Sequence, residues 1–161
     1  MPVTIRQAVS ADTSLILDLI RALAEYERLA DACVATEEQL TASLFGPSPD
    51  AEVIIAEWDG KPAGFALYFH TYSTFLARRG LWLEDLFVRP ELRGNGIGKA
   101  LLSRLAQIAI ERDCGRLEWA VLDWNASAIG FYRSLGAVPL DDWITNRMTG
   151  AALEALASPT D

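Results

Sequence analysis

Three glycines at alternate positions, Gly94, Gly96 and Gly98, join a strand-like run at residues 81–88 to a stretch of helical periodicity, and nothing else in the 161-residue chain restricts its fold as much. A strand that turns into a helix through glycine leaves bare backbone N–H groups at the helix start, where the dipole favours negative charge. Ile97, Leu101, Leu105, Ile108 and Ala109 mark the apolar stripe of that helix, which is expected to end near Gly115. A phosphate group is the natural ligand of such a turn. A nucleoside triphosphatase is disfavoured, because Arg93 stands where a P-loop needs glycine and Ala100 where it needs a hydroxyl. The dinucleotide fingerprint fits little better, since its longer final glycine step is missing and the turn falls in the second half of the chain.

The surrounding segments alternate strand and helix. Thr4-Ile5-Arg6-Gln7-Ala8-Val9 reads as a strand and Ser10-Ala11-Asp12 as a helix start, with Leu15, Ile16, Leu19, Ile20, Leu23 and Ala24 at helical spacing through about Leu29. Thr36-Glu37-Glu38-Gln39 has capping-box spacing and opens a short helix ending near Gly46. Residues 51–58 and 62–72 are β-rich runs around Asp59-Gly60, a strong hairpin signal. Further on, residues 116–122 predict a strand, 125–135 a helix closed by Gly136, 138–140 and 144–148 two closing strands, and Thr149-Gly150 a last helix through about Ala157. The order predicts one α/β domain over residues 1–161, with a mixed, mostly antiparallel sheet flanked by helices.

Composition narrows the class of partner. A net charge of −8 argues against nucleic acid, whose binding needs a basic surface, and suits a cation better. Two well separated cysteines, Cys33 and Cys114, fit a reducing compartment. With no apolar run of about 18 residues and no leader-like start, a cytoplasmic protein without a membrane partner is expected. His70, the only histidine, has no neighbouring ligand at metal spacing, so it reads as structural and no metal is expected.

Glu84 and Asp85 interrupt an otherwise apolar strand. Consecutive strand residues point to opposite faces, so at least one carboxylate should face the side of the sheet away from a ligand at the glycine turn.

Five segments in order carry a family resemblance: Leu23-Ala24-Glu25-Tyr26-Glu27, Gly64-Phe65-Ala66-Leu67-Tyr68, Leu83-Glu84-Asp85-Leu86-Phe87-Val88, the Arg93-x-x-Gly96-x-Gly98 loop, and Trp124-Asn125 through Phe131-Tyr132. Together they resemble the GNAT superfamily of N-acetyltransferases, nearest its spermidine/spermine and thialysine branch. The resemblance implies direct transfer from acetyl-CoA to a primary amine of a small polycation (a diamine, polyamine or thialysine-like amino acid), in a homodimer. Another amine, such as an aminoglycoside or peptide terminus, and a non-catalytic acyl-CoA sensor stay open.

The same resemblance implies roles. Arg93, Gly94, Asn95, Gly96, Ile97, Gly98 and Lys99 would hold the coenzyme pyrophosphate, while Leu86, Phe87 and Val88 present backbone groups to its pantetheine arm. Asn125 and Ser127 would contact the coenzyme or cap their helix. Tyr132 would protonate the departing thiolate and Glu84 would accept the amine proton, directly or through water. Tyr26, Glu27, Glu84, Asp85 and Trp143 would bind the amine. An alkylammonium has a pKa of about 10, so its proton needs an acceptor and its charge an acidic surface. One departure matters: after the Thr71-Tyr72 pair this chain has Ser73-Thr74-Phe75 where the polyamine enzymes carry an Asp-Pro-Trp-like segment, which removes an acidic contact and leaves short diamines, thialysine-like amino acids or another lysine analogue open.

Overall fold

Asp59 and Gly60 both adopt positive φ, 48° and 77°, the twist that a two-residue hairpin requires. They join β2 (Glu52–Trp58) to β3 (Lys61–Ser73), with Trp58 opposite Lys61. This computed structural model describes residues 2–159. β1 (Val3–Gln7) pairs antiparallel with β2, and β4 (Arg78–Val88) antiparallel with β3. β5 (Leu117–Trp119) runs parallel to β4, a direction that needs the crossover supplied by α3 (Ile97–Glu111). The sheet order is β1-β2-β3-β4-β5, the mixed and mostly antiparallel α/β arrangement expected.

Alternation sorts the core into two layers. Val53, Ile55, Phe65 and Phe87 meet Ile16, Leu19 and Leu23 of α1 (Thr13–Tyr26) and Leu44 of α2 (Glu37–Phe45). The intervening residues Ile54, Ala66 and Tyr68 are buried on the other face, as are Leu101, Leu105 and Ile108 of α3. Each fully buried aliphatic side chain contributes about 1.5–3 kcal/mol, so this double layer dominates stability. Asp12 anchors the start of α1 to β1, accepting from both Nη atoms of Arg6 at 2.8 and 2.9 Å and from the Val9 amide at 2.8 Å. The Arg6 guanidinium holds the Asp12 carboxyl below its ordinary range.

Helix ends reflect local hydrogen bonding more closely than glycine placement. α1 stops at Tyr26, earlier than its periodicity predicts, because Leu29 N–H reaches Ala24 O (2.8 Å) and Arg28 N–H reaches Glu25 O (3.1 Å) with Arg28 at φ 61°. That paired closure is a Schellman motif with a non-glycine residue in the left-handed position. α3 ends the same way at Asp113, φ 58°, before Gly115 is reached. α2 begins with the expected capping box: the Gln39 amide donates to Thr36 Oγ1 (3.2 Å) and Thr36 N–H to Gln39 Oε1 (3.0 Å).

The chain divides into two compact units between Leu122 and Asp123. The second contains α4 (Ala126–Ser134), closed by Gly136 at φ 95°, and α5 (Gly150–Ala157). The two closing strands expected at 138–140 and 144–148 do not form among the described residues. Apolar alternation is not sufficient without a partner ladder. Pro139 has no N–H to give one, and a turn at Asp141-Asp142, with Trp143 N–H bonded to Leu140 O at 3.2 Å, separates the halves. The fifth strand is likewise three residues long, against seven in the expected 116–122 run.

Candidate active site

Tyr68 pairs with Leu83 and Leu67 with Asp85, so Glu84 is left over as a bulge in β4. Cross-strand partners share a face, and Leu67 and Tyr68 lie on opposite faces. Leu83 and Asp85 therefore point to opposite sides although they are two residues apart. Asp85 joins Leu67, Phe65 and Phe87 on the α1 side of the sheet. Trp82, opposite Phe69, is on that side too, and its indole Nε1 donates to Glu84 Oε2 at 3.0 Å. The expectation that Glu84 and Asp85 face opposite sides is thus overturned: the bulge absorbs one step of alternation and turns both carboxylates toward α1.

Glu27 meets them there as the C-cap of α1, in a position set by the Schellman closure. Asp85 is half-buried, and burial, then Glu84, then Glu27 push its carboxyl up to about 6. Glu27 is raised as well, by burial first and by Glu84 second. Like charges collected in a partly desolvated place disfavour their own ionisation, and a cation arriving among them reverses that effect. Tyr26, one residue earlier, lies under the guanidinium of Arg93, whose central carbon is 4.6 Å from the ring centroid.

Arg93 opens the glycine-rich loop. Its Nε donates to Val88 O at 3.0 Å, and Asn95 Nδ2 donates to Leu92 O at 2.9 Å, so the loop is held by its own side chains. Gly94 and Gly96 have φ 83° and 79°, values that favour glycine. Gly96 is the N-cap of α3, and Ala100 N–H to Gly96 O (3.0 Å) is the first bond of the helix. The amides of Ile97, Gly98 and Lys99 precede it and form the donor end of the helix dipole. A Cβ at Gly94 or Gly96 would meet nothing within 4 Å, and one at Gly98 would meet only Val88 Cγ2 at 3.9 Å. Protein contacts alone do not demand glycine at 98, whereas close approach of a ligand would. The Ile97 side chain is 2% exposed and belongs to the core, so only its backbone can serve a ligand.

β5 pairs with β4 at Leu81, Trp82 and Leu83 and stops at the bulge. Among the described residues no strand covers the outer edge of residues 84–88, where Leu86, Phe87 and Val88 lie. The loop, this edge, Tyr26 and the three carboxylates all belong to the first unit.

Asn125, Ser127, Tyr132 and Trp143 belong to the second. Asn125 Oδ1 caps α4 by accepting from Ala128 N–H at 3.3 Å, and Ser127 Oγ donates to the same oxygen at 3.4 Å. Tyr132 is on α4 with its ring centroid 5.7 Å from that of Phe131. Trp143 is 77% exposed in the turn after Leu140.

Two other sequence features find local explanations. Ser73 Oγ accepts from Leu76 N–H and from Arg116 Nη2, both at 3.2 Å, and so organises the β3–β4 turn. His70 Nε2 lies 3.4 Å from Arg112 Nη1, beside the Arg112–Glu52 ion pair that ties α3 to β2. Burial and the charges of Arg79 and Arg112, partly opposed by Glu52, lower the His70 pKa. Sequence reasoning missed Trp82 as a partner of Glu84. The signal was present, since a tryptophan two residues before a glutamate on one strand can share its face.

The model of the Acetyltransferase (GNAT) family matches residues 18–137. A thialysine N-epsilon-acetyltransferase from Bos taurus is 40% identical, over 96% of this chain and 97% of the relative. An L-ornithine N5-acetyltransferase from Arabidopsis thaliana is 32% identical, over 94% of this chain and 86% of the relative. Among solved structures, an integron cassette protein from the mobile metagenome of V. cholerae superimposes with a TM-score of 0.83 at 30% identity, covering 99% of both chains.

Proposed function

This chain belongs to the GNAT acetyltransferase family and is an N-acetyltransferase, and we propose that it moves an acetyl group from acetyl-CoA directly to a primary amine of a small dication. The observation that carries the substrate class is the convergence of Glu27, Glu84 and Asp85 on one side of the sheet, where burial first and the neighbouring carboxylates second raise the pKa of Asp85 and Glu27. A diamine, a polyamine or a thialysine-like amino acid brings one ammonium to be acetylated and a second to neutralise what remains. The names of the thialysine and ornithine relatives support the same class, because both acceptors carry two amines.

The residues present fit acetyl-CoA. The amides at the start of α3 and the open space at Gly94 and Gly96 suit a pyrophosphate, and the edge at Leu86, Phe87 and Val88, which no strand covers among the described residues, suits a chain of amides lying alongside it. Bound acetyl-CoA would supply a thioester carbon for attack and a thiolate leaving group. Glu84 takes the ammonium proton, directly or through water, so that the nitrogen lone pair is free. Asp85 and Glu27 hold the second cation, with Tyr26 next to Glu27 at the end of α1. Tyr132 gives a proton to the departing sulfur, and Asn125 and Ser127 order the helix that carries it.

The test is thiol release from acetyl-CoA with short diamines, thialysine, lysine, spermidine and a monoamine of matched length, at one ionic strength because screening would blur the preference. Dications should exceed the monoamine in kcat/KM by about 10-fold or more, the scale of one desolvated charge contact. Equal rates with the monoamine, or reaction only with peptides or aminoglycosides, would sink the dication reading and leave the acetyltransferase intact.

A further inference from the structure

We infer that Trp82 is a positioning residue for acetyl transfer, its indole N–H holding the Glu84 carboxylate in the orientation that receives the amine proton; this rests on the role of Glu84 proposed above. Glu84 is the extra residue of the bulge, with no cross-strand partner, and it is exposed. A glutamate in that setting has little from the ladder to restrain its side chain. Trp82 is the opposite case. It lies between the fully buried Leu81 and Leu83, pairs with Phe69, and is held on three strands, because β5 is bonded to β4 at this same position. The indole has one donor and no acceptor, so its 3.0 Å contact with Glu84 Oε2 is made in one direction only.

That contact divides the carboxylate. Oε2 is occupied by Trp82, and Oε1 accepts no hydrogen bond among the described residues. The second oxygen is left to the proton that leaves nitrogen. A surface indole N–H could bond to water at almost equal free energy, so the contact adds little to stability. Its effect is geometric: Glu84 shares the α1 side with Trp82, two residues before it, and Trp82 sets the rotation of its side chain there.

Two measurements on the full chain test this. In the first, Trp82→Phe keeps an aromatic ring and removes the donor. With acetyl-CoA and the most active amine of the panel, kcat should fall about 10-fold, within the range that misplacing a reacting group commonly costs. KM for acetyl-CoA and the thermal midpoint should not change. In a Glu84→Gln background the same replacement should cost less than about 2-fold, since no proton acceptor remains to be positioned. A similar loss in both backgrounds, or none in either, would overturn the assignment. If Glu84→Gln alone leaves kcat unchanged, the role of Glu84 itself is wrong.

The second measurement needs no substrate. The indole 15N–1H resonance of Trp82, identified by its disappearance in Trp82→Phe, should shift and exchange faster with water in Glu84→Ala. A resonance indifferent to Glu84→Ala would show that the contact is not made in solution, and the inference would fall whatever the kinetics.

Discussion

The guanidinium carbon of Arg93 lies 4.6 Å from the centroid of Tyr26 and 5.5 Å from that of Phe87, so the first residue of the glycine-rich loop is stacked on the last residue of α1. Arg93 is fixed at its base by the bond from Nε to Val88 O. Tyr26 is followed directly by Glu27. The loop that suits a pyrophosphate and the carboxylate that suits a cation therefore share one rigid contact.

Replacing Tyr26 by Leu and Arg93 by Ala, singly and together, should give a coupling of about 0.5–1 kcal/mol in denaturant unfolding, the size of an exposed cation–π pair. The cycle cancels the separate loss of the Arg93 bond to Val88. Additive effects would mean that the stack contributes nothing.

At Gly96 the φ of 79° is compatible with Asn or Asp at modest cost, which separates backbone strain from charge. Gly96→Asn and Gly96→Asp should both fold, and the aspartate variant should bind acetyl-CoA more weakly than the asparagine one because it sets a negative charge at the pyrophosphate site. The thermal shift produced by added acetyl-CoA reads this directly. Equal shifts in both variants and the parent would remove the loop from the coenzyme site.

Asp85 makes a pH prediction. Its carboxyl is raised from 3.8 to about 6, so the folded chain holds that proton more tightly than the unfolded chain does. Stability contributed by this group is therefore lost as pH rises from about 4 to about 6, and the penalty is complete above that window. Asp85→Asn should stabilise the ligand-free protein by about 1–2 kcal/mol at pH 7.5 after allowing for partial solvent screening, with no gain below about pH 4. It should also weaken the binding of a dication. Parallel unfolding curves for the two proteins across that range would show that Asp85 is not held among charges.

Tyr132→Phe should leave acetyl-CoA binding nearly unchanged and lower kcat by about 10²–10⁴-fold, the usual worth of a general acid. Full turnover in a folded variant would return Tyr132 to a purely structural place on α4.

Several features were legible from local sequence because local chemistry decides them. The Asp59-Gly60 turn, the Thr36 capping box, the glycine turn before α3 and the Gly136 cap each depend on residues within one or two turns of one another. The ends of α1 and α3 were not legible, since Arg28 and Asp113 take left-handed positions where a sequence rule looks for glycine.

The sequence by itself determined the α/β class, the strand-to-helix turn that suits an anion, and the presence of two carboxylates inside an apolar strand, because periodicity and glycine placement act over short distances. Only the tertiary structure decided where those carboxylates point. The bulge at Glu84 arises from how β4 registers against β3, a relation between separate segments that no period in β4 can encode. The pKa of Asp85 rises because folding buries it beside Glu27 from a distant helix, and burial and through-space charge depend on the closed chain. For the same reason, residues 138–140 and 144–148 looked like strands yet form none, since a strand exists only where another backbone is present to complete its hydrogen bonds.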